Sequence, residues 1–128
     1  NCEFSKTLIV YNGQNLNKSN FEKIPSQVEV VKIDSDSPIE LSKLLANKGC
    51  NSILWECGPT LATSAIKDGC IQEVMTFVAP KLLGGNLGNS PCGDFSFNKM
   101  DQVFNLDRSD LRLFGEDIYL KNIFQNSP

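Results

Sequence analysis

The chain has 128 residues, 41% hydrophobic and 21% charged, which is enough apolar content for one packed domain and too much for a disordered chain. Twelve basic against fifteen acidic residues leave a net charge of −3, and only Arg108 and Arg112 among the cations are arginines, so a surface built to neutralise nucleic-acid phosphates is not expected. Histidine is absent, which removes Ser-His-Asp and Cys-His nucleophile pairs and every His-containing metal site.

In chain order, Lys6-Thr7-Leu8-Ile9-Val10-Tyr11 is a β-branched and aromatic run closed by Asn12-Gly13, a strand and its turn. An Asn-rich connection follows, with one helical turn expected about Phe21 to Ile24. Val28-Glu29-Val30-Val31-Lys32-Ile33 is a second strand. Ser37, Pro38 and Glu40 then spell a capping box with proline at the first helical position. Leu41, Leu44 and Leu45 give that helix one apolar stripe, and Gly49 is placed to stop it. The spacing predicts a helix over residues 38–48.

Ser52-Ile53-Leu54-Trp55 reads as a short strand of the kind buried on both faces of a parallel sheet. A second helix, predicted over residues 59–68, opens after Glu56-Cys57-Gly58-Pro59 and ends at Gly69. Val74-Met75-Thr76-Phe77-Val78-Ala79-Pro80 is the next strand. Strand, helix, strand, helix, strand is a βαβαβ order, which demands a mostly parallel sheet. Beyond the Gly-Asn-rich tract from Gly84 to Gly93, three alternating stretches, residues 102–107, 111–114 and 118–120, predict antiparallel strands. The whole is expected to be a single α/β domain over residues 1–128, a three-layer sandwich.

The five cysteines (Cys2, Cys50, Cys57, Cys70 and Cys92) are odd in number and form no C-x-x-C pair. Reduced thiols in a cytoplasmic protein are expected, rather than a disulfide framework or a thiolate zinc site. No apolar run approaches the ~20 residues of a membrane span, and the first residues carry no charged-then-apolar leader.

Two segments could carry chemistry. In Trp55-Glu56-Cys57-Gly58-Pro59-Thr60-Leu61-Ala62-Thr63-Ser64 a strand ends in a carboxylate, turns tightly, and opens a helix with three hydroxyls. Ligands of open α/β sheets sit at such strand ends, facing free helix N–H groups. The same residues also describe a well-capped helix with a solvated acid before it, and spacing alone leaves both readings open. In Ala79-Pro80-Lys81-Leu82-Leu83-Gly84-Gly85 the glycines either admit a ligand close to the backbone or simply turn the chain. Cys57 lies at a helix N-terminus but lacks a base, and Glu56 beside it opposes thiolate formation, so it is not expected to be a nucleophile. Gly115-Glu116-Asp117 reads as a turn.

Ile53-Leu54-Trp55-Glu56-Cys57-Gly58-Pro59-Thr60-Leu61, Ala65 through Gly69, Gln72-Glu73-Val74 and Ala79-Pro80-Lys81-Leu82-Leu83-Gly84-Gly85, with Leu111-Arg112-Leu113-Phe114-Gly115-Glu116-Asp117-Ile118-Tyr119-Leu120 after them, resemble the reductase domain of the bacterial bifunctional riboflavin-biosynthesis deaminase/reductase. The resemblance implies a dihydrofolate-reductase-like fold and NADPH-dependent reduction of 5-amino-6-(5-phosphoribosylamino)uracil, a phosphorylated pyrimidine, to its ribitylamino form. It implies that Glu56 contacts the substrate's sugar. It also implies that Gly58, Pro59, Thr60, Leu61, Ala62, Thr63 and Ser64 hold the dinucleotide phosphates, with no metal. The family has a glycine pair where this chain has Cys57-Gly58. Its N-terminal strands, with their substrate-facing lysine and serine, have no counterpart before Thr7. The chain therefore resembles the C-terminal part of the domain and is expected to form a homo-oligomer and to turn over no substrate alone. A non-catalytic dimerisation or nucleotide-binding remnant, and a reductase of a related pyrimidine or pteridine, are the alternatives.

Overall fold

The computed structural model describes residues 5–13, 23–82, 84 and 90–125. Their elements are β1 (Leu8–Asn12), β2 (Glu29–Ile33), α1 (Pro38–Asn47), α2 (Pro59–Lys67), β3 (Glu73–Val78), a 3₁₀ turn at Met100–Gln102, β4 (Leu106–Phe114) and β5 (Asp117–Phe124). Of the helical turn expected over Phe21 to Ile24, Phe21 and Glu22 fall outside the described residues. Two compact units divide the chain, Asn1–Ile53 and Leu54–Pro128.

In the first unit β1 and β2 pair in parallel, from Leu8 opposite Glu29 to Asn12 opposite Ile33. Helix α1 starts at Pro38, whose missing N–H costs nothing at the first helical position. The capping box does not form. The Ser37 side chain makes no cap hydrogen bond, its backbone amide donates to Ser35 Oγ at 3.1 Å, and Glu40 is drawn one turn along the helix to Lys43 at 2.9 Å. Leu41, Leu44 and Leu45 form the expected half-buried stripe. At the C-terminus Gly49 takes φ +91°, its amide donates to Ala46 O, and Cys50 N donates to Leu45 O at 3.0 Å. Those two bonds satisfy carbonyls that a helix end leaves open.

Residues 52–55 do not form the expected strand. Ile53 and Trp55 are half-buried, but Leu54 is 68% exposed. A strand exists only when a ladder partner lies alongside, and among the described residues none does. The apolar run records a tendency that local sequence cannot satisfy by itself.

In the second unit the sheet order is β3-β5-β4, antiparallel throughout. Here β3, which the βαβαβ alternation assigns to a parallel array, runs from Glu73 opposite Ile123 to Val78 opposite Ile118. Of the expected stretch 102–107 only Leu106 and Asp107 are strand, and they join 111–114 in one strand, β4, with a bulge between Arg108 and Asp110. Ser109 there donates its hydroxyl proton to Lys121 O at 3.2 Å. Register decides the faces, because opposite residues share one. Phe77, Tyr119 and Phe114 gather on one face with ring centroids 5.1 to 5.9 Å apart. On that face Lys121 pairs with Glu73 at 2.8 Å, a hydrogen bond that holds the lysine pKa above its usual value. Val78, Ile118 and Leu113 share the other face, and Leu113 is 71% exposed.

The hairpin between β4 and β5 turns on Gly115-Glu116, with Phe114 opposite Asp117. Gly115 has φ +63°, and a Cβ added there would meet nothing within 4 Å. A Gly115→Ala substitution therefore isolates backbone strain from crowding. The expected cost is about 1–2 kcal/mol, read as a lower denaturant midpoint with an unchanged slope. An unchanged midpoint would mean the turn adopts another conformation in solution.

Candidate functional site

The site is built at the start of α2. From Ile53 to Gly58 exposure alternates, with Ile53, Trp55 and Cys57 half-buried and Leu54, Glu56 and Gly58 exposed. The Glu56 carboxylate is thus presented to solvent three residues before the helix begins. Gly58 is the N-cap, with φ −73° and ψ 170°, and Pro59 is the first helical residue. Ala62 N donates to Gly58 O at 3.0 Å, closing the first turn. No side chain caps this end, so helical geometry leaves the Thr60 and Leu61 amides aimed outward without an intrahelical acceptor. A Cβ at Gly58 would meet nothing within 4 Å. Outward amides and an open backbone approach suit an anionic group, which the positive end of the helix also favours.

The hydroxyls divide by geometry. Thr60 is exposed and Ser64 is half-buried, with Ser64 Oγ donating to Thr60 O at 3.2 Å. Thr63 is buried, and its Oγ1 lies 2.7 Å from Pro59 O and 2.7 Å from Gly93 N. Ala62 is half-buried and Leu61 is 38% exposed. Lys67, in the last turn, donates to Asp94 O at 3.3 Å and lies 5.7 Å from the Phe95 ring centre. At the far end Gly69, with φ +68°, closes the helix through Gly69 N to Ile66 O and Cys70 N to Ala65 O, as its position in the sequence predicts.

The second sequence segment leaves β3 by a tight turn in which Lys81 N donates to Ala79 O at 2.8 Å. Pro80 stands at its centre, where a proline's fixed φ fits such a three-residue turn. Leu82 is fully exposed. Gly84 takes φ +64° with open space where a Cβ would stand, while Leu83 and Gly85 lie outside the described residues. The contacts of Gly93, Asp94 and Phe95 along α2 were not expected from sequence, since nothing in a Gly-Asn-rich tract marks which residue returns to a helix. No group of three or more metal-ligating side chains gathers among the described residues, and no helix there is long and apolar enough to cross a membrane.

The elements follow in the order strand pair, two helices, antiparallel C-terminal sheet, and the α/β fold is that of solved RibD and pyrimidine reductase-like proteins, dihydrofolate-reductase-like. RibD of Acinetobacter baumannii superimposes with a TM-score of 0.71 at 22% identity, covering 94% of this chain and 38% of its own. A pyrimidine reductase-like protein of Corynebacterium diphtheriae gives 0.69 at 18% identity, covering 93% of this chain and 50% of its own. Residues 3–120 match the RibD C-terminal domain family, and the chain belongs to it.

Among curated relatives, the chloroplastic riboflavin biosynthesis protein PYRR of Arabidopsis thaliana is 39% identical over 113 residues, 87% of this chain and 19% of that protein. Riboflavin biosynthesis protein RibD of Synechocystis sp. is 35% identical over 99 residues, 77% of this chain and 26% of that protein. The chain thus spans about a sixth to a third of the length of the curated relatives it matches.

Proposed function

We propose that this chain is the C-terminal part of a single reductase domain that uses NADPH to reduce 5-amino-6-(5-phosphoribosylamino)uracil to the ribitylamino form. One observation supports this most: directly after an outward-facing carboxylate, Glu56, stands a helix N-terminus that is uncapped and open at Gly58. That pairing places an anion-binding end beside a group that accepts hydrogen bonds from sugar hydroxyls. Membership of the RibD C-terminal domain family supports a substrate of this class. The dinucleotide, when bound, supplies hydride.

The chain's own residues bind and orient. The Thr60 and Leu61 amides, with the Thr60 hydroxyl, hold phosphate oxygens. Gly58 lets those oxygens approach the backbone, and Pro59, Ala62 and Ser64 shape the first turn beneath them. Glu56 accepts hydrogen bonds from the substrate's hydroxyls and fixes the sugar. Holding two reactants in one geometry is the main contribution such a site makes when the cofactor carries the chemistry. No histidine is required. A reducing compartment such as the cytoplasm suits the thiols that are free among the described residues, Cys50, Cys57, Cys70 and Cys92.

The test joins this chain to the N-terminal portion of the Synechocystis relative's reductase domain and follows oxidation of NADPH. Oxidation that depends on the ribosylamino-pyrimidine phosphate supports the proposal. A folded chimera that binds both ligands and oxidises no NADPH refutes it.

We also propose that copies of the chain associate. Among the described residues only Val28 and Ala65 are buried hydrophobics, while Phe77, Leu113 and Phe114 are each more than half exposed. Apolar surface of this extent is normally covered by another chain or domain. Light scattering at tens of micromolar is expected to give a dimer or larger, and a clean monomer would contradict it.

A further inference from the structure

We infer that Thr63 is a positioning residue, whose buried hydroxyl clasps the segment about Gly93 against the first turn of α2 and so shapes the wall beside the helix N-terminus. Proton counting fixes the direction of each bond. The Gly93 amide can only donate, so at 2.7 Å it gives its hydrogen to Thr63 Oγ1. A hydroxyl has one hydrogen, and the Pro59 carbonyl, 2.7 Å away, can only accept it. The Thr63 proton is therefore committed inside the chain, and none remains to donate to a phosphate. Its neighbour Thr60, exposed on the same turn, has no such commitment.

The clasp is close and continues along the helix. A Cβ at Gly93 would stand 3.1 Å from Thr63 Oγ1 and 4.0 Å from Pro59 O, so the backbone of this segment runs against the first helical turn itself. One turn further on, Lys67 donates to Asp94 O at 3.3 Å and lies beside the Phe95 ring. Two helix positions four apart thus hold consecutive residues, 93 and then 94–95, in line with the helix. Ser96, at φ +59°, ends the run with its amide on Asp94 Oδ1 at 2.7 Å. The segment that follows the Gly-Asn-rich tract is thereby tied to the helix that carries the first sequence motif. Thr63 acts on the dinucleotide through Gly93 and Pro59, not by touching it, an assignment that rests on the proposed phosphate role of that helix end.

The experiment compares Thr63→Val, Thr63→Ser and Gly93→Ala in the 128-residue chain, with two readouts taken well below the melting temperature. Amide exchange of Gly93 is expected to accelerate roughly tenfold in Thr63→Val, the scale of one lost hydrogen bond, and to be restored by Thr63→Ser. The NADPH dissociation constant is expected to rise roughly three- to tenfold in Thr63→Val and in Gly93→Ala, and to return to within about twofold of the parent in Thr63→Ser. A merely structural threonine would lower the melting temperature and leave the dissociation constant of the folded protein unchanged. Unaltered Gly93 exchange in Thr63→Val, or unaltered NADPH affinity despite faster exchange, overturns the inference. A parent chain that binds no NADPH overturns the phosphate reading and the positioning role together, and is recognised before any variant is made.

Discussion

Replacing Gly58 by valine is expected to weaken NADPH binding on the order of ten- to hundredfold while leaving the fold in place, a penalty set by crowding the approach to the helix amides. The structure makes this a clean experiment. Gly58 sits at φ −73°, a conformation open to any residue. A Cβ there meets nothing within 4 Å. The backbone has no need of glycine, and the surrounding chain has room for a side chain. On the proposed phosphate role of this helix end, a valine side chain narrows the approach to the Thr60 and Leu61 amides. Valine is also a poorer N-cap than glycine, a loss of about 1 kcal/mol, so the melting temperature should drop by roughly 3–5 °C. Calorimetric titration with NADPH, beside a thermal melt, separates the two effects. Parent-like affinity in Gly58→Val would remove the phosphates from this end of α2.

Glu56→Gln should do the reverse. The substitution keeps the shape and removes the charge at a position exposed to solvent. Losing a charge-assisted hydrogen bond to a sugar hydroxyl costs about 1.5–3 kcal/mol, roughly a ten- to hundredfold loss in substrate use. NADPH affinity is expected to stay within about twofold, because the helix amides are untouched. Steady-state kinetics on the chimeric reductase, with each ligand varied in turn, reads both values. Substrate kinetics identical to the parent would leave Glu56 a solvated loop acid. The two variants together distinguish a site with two ligand-specific halves from a helix that is simply well placed.

What the sequence makes legible is the chemistry that acts within a few residues. Pro38 with Gly49, and Pro59 with Gly69, mark both helices because a missing amide and a left-handed φ are properties of single residues. Leu41, Leu44 and Leu45 fall on one face for the same local reason. The capping box at Ser37 fails because Glu40 has a rival partner in Lys43, one turn away, and a motif does not reveal competition. Residues 52–55 have the composition of a buried strand, yet strand formation depends on a neighbour that local sequence does not describe. The antiparallel pairing of β3 with β5 joins residues about forty to fifty positions apart, a choice that alternation alone cannot make. At the site, the helix that opens at Pro59 is legible, whereas the strand expected to end at Glu56 does not form. The commitment of the Thr63 hydroxyl is not legible, since its partner Gly93 lies 30 residues away in a tract whose composition distinguishes no position.

The most direct test of the central claim, that the open end of α2 holds the dinucleotide phosphates, is an NMR titration of the 128-residue chain with NADPH. Saturable shifts are expected to be largest at the backbone amides of Gly58, Thr60 and Leu61, with Gly93 moving less and the Phe77, Phe114 and Tyr119 face not at all. Saturation with those three amides unmoved, or with the largest shifts on the aromatic face of the sheet, would contradict it.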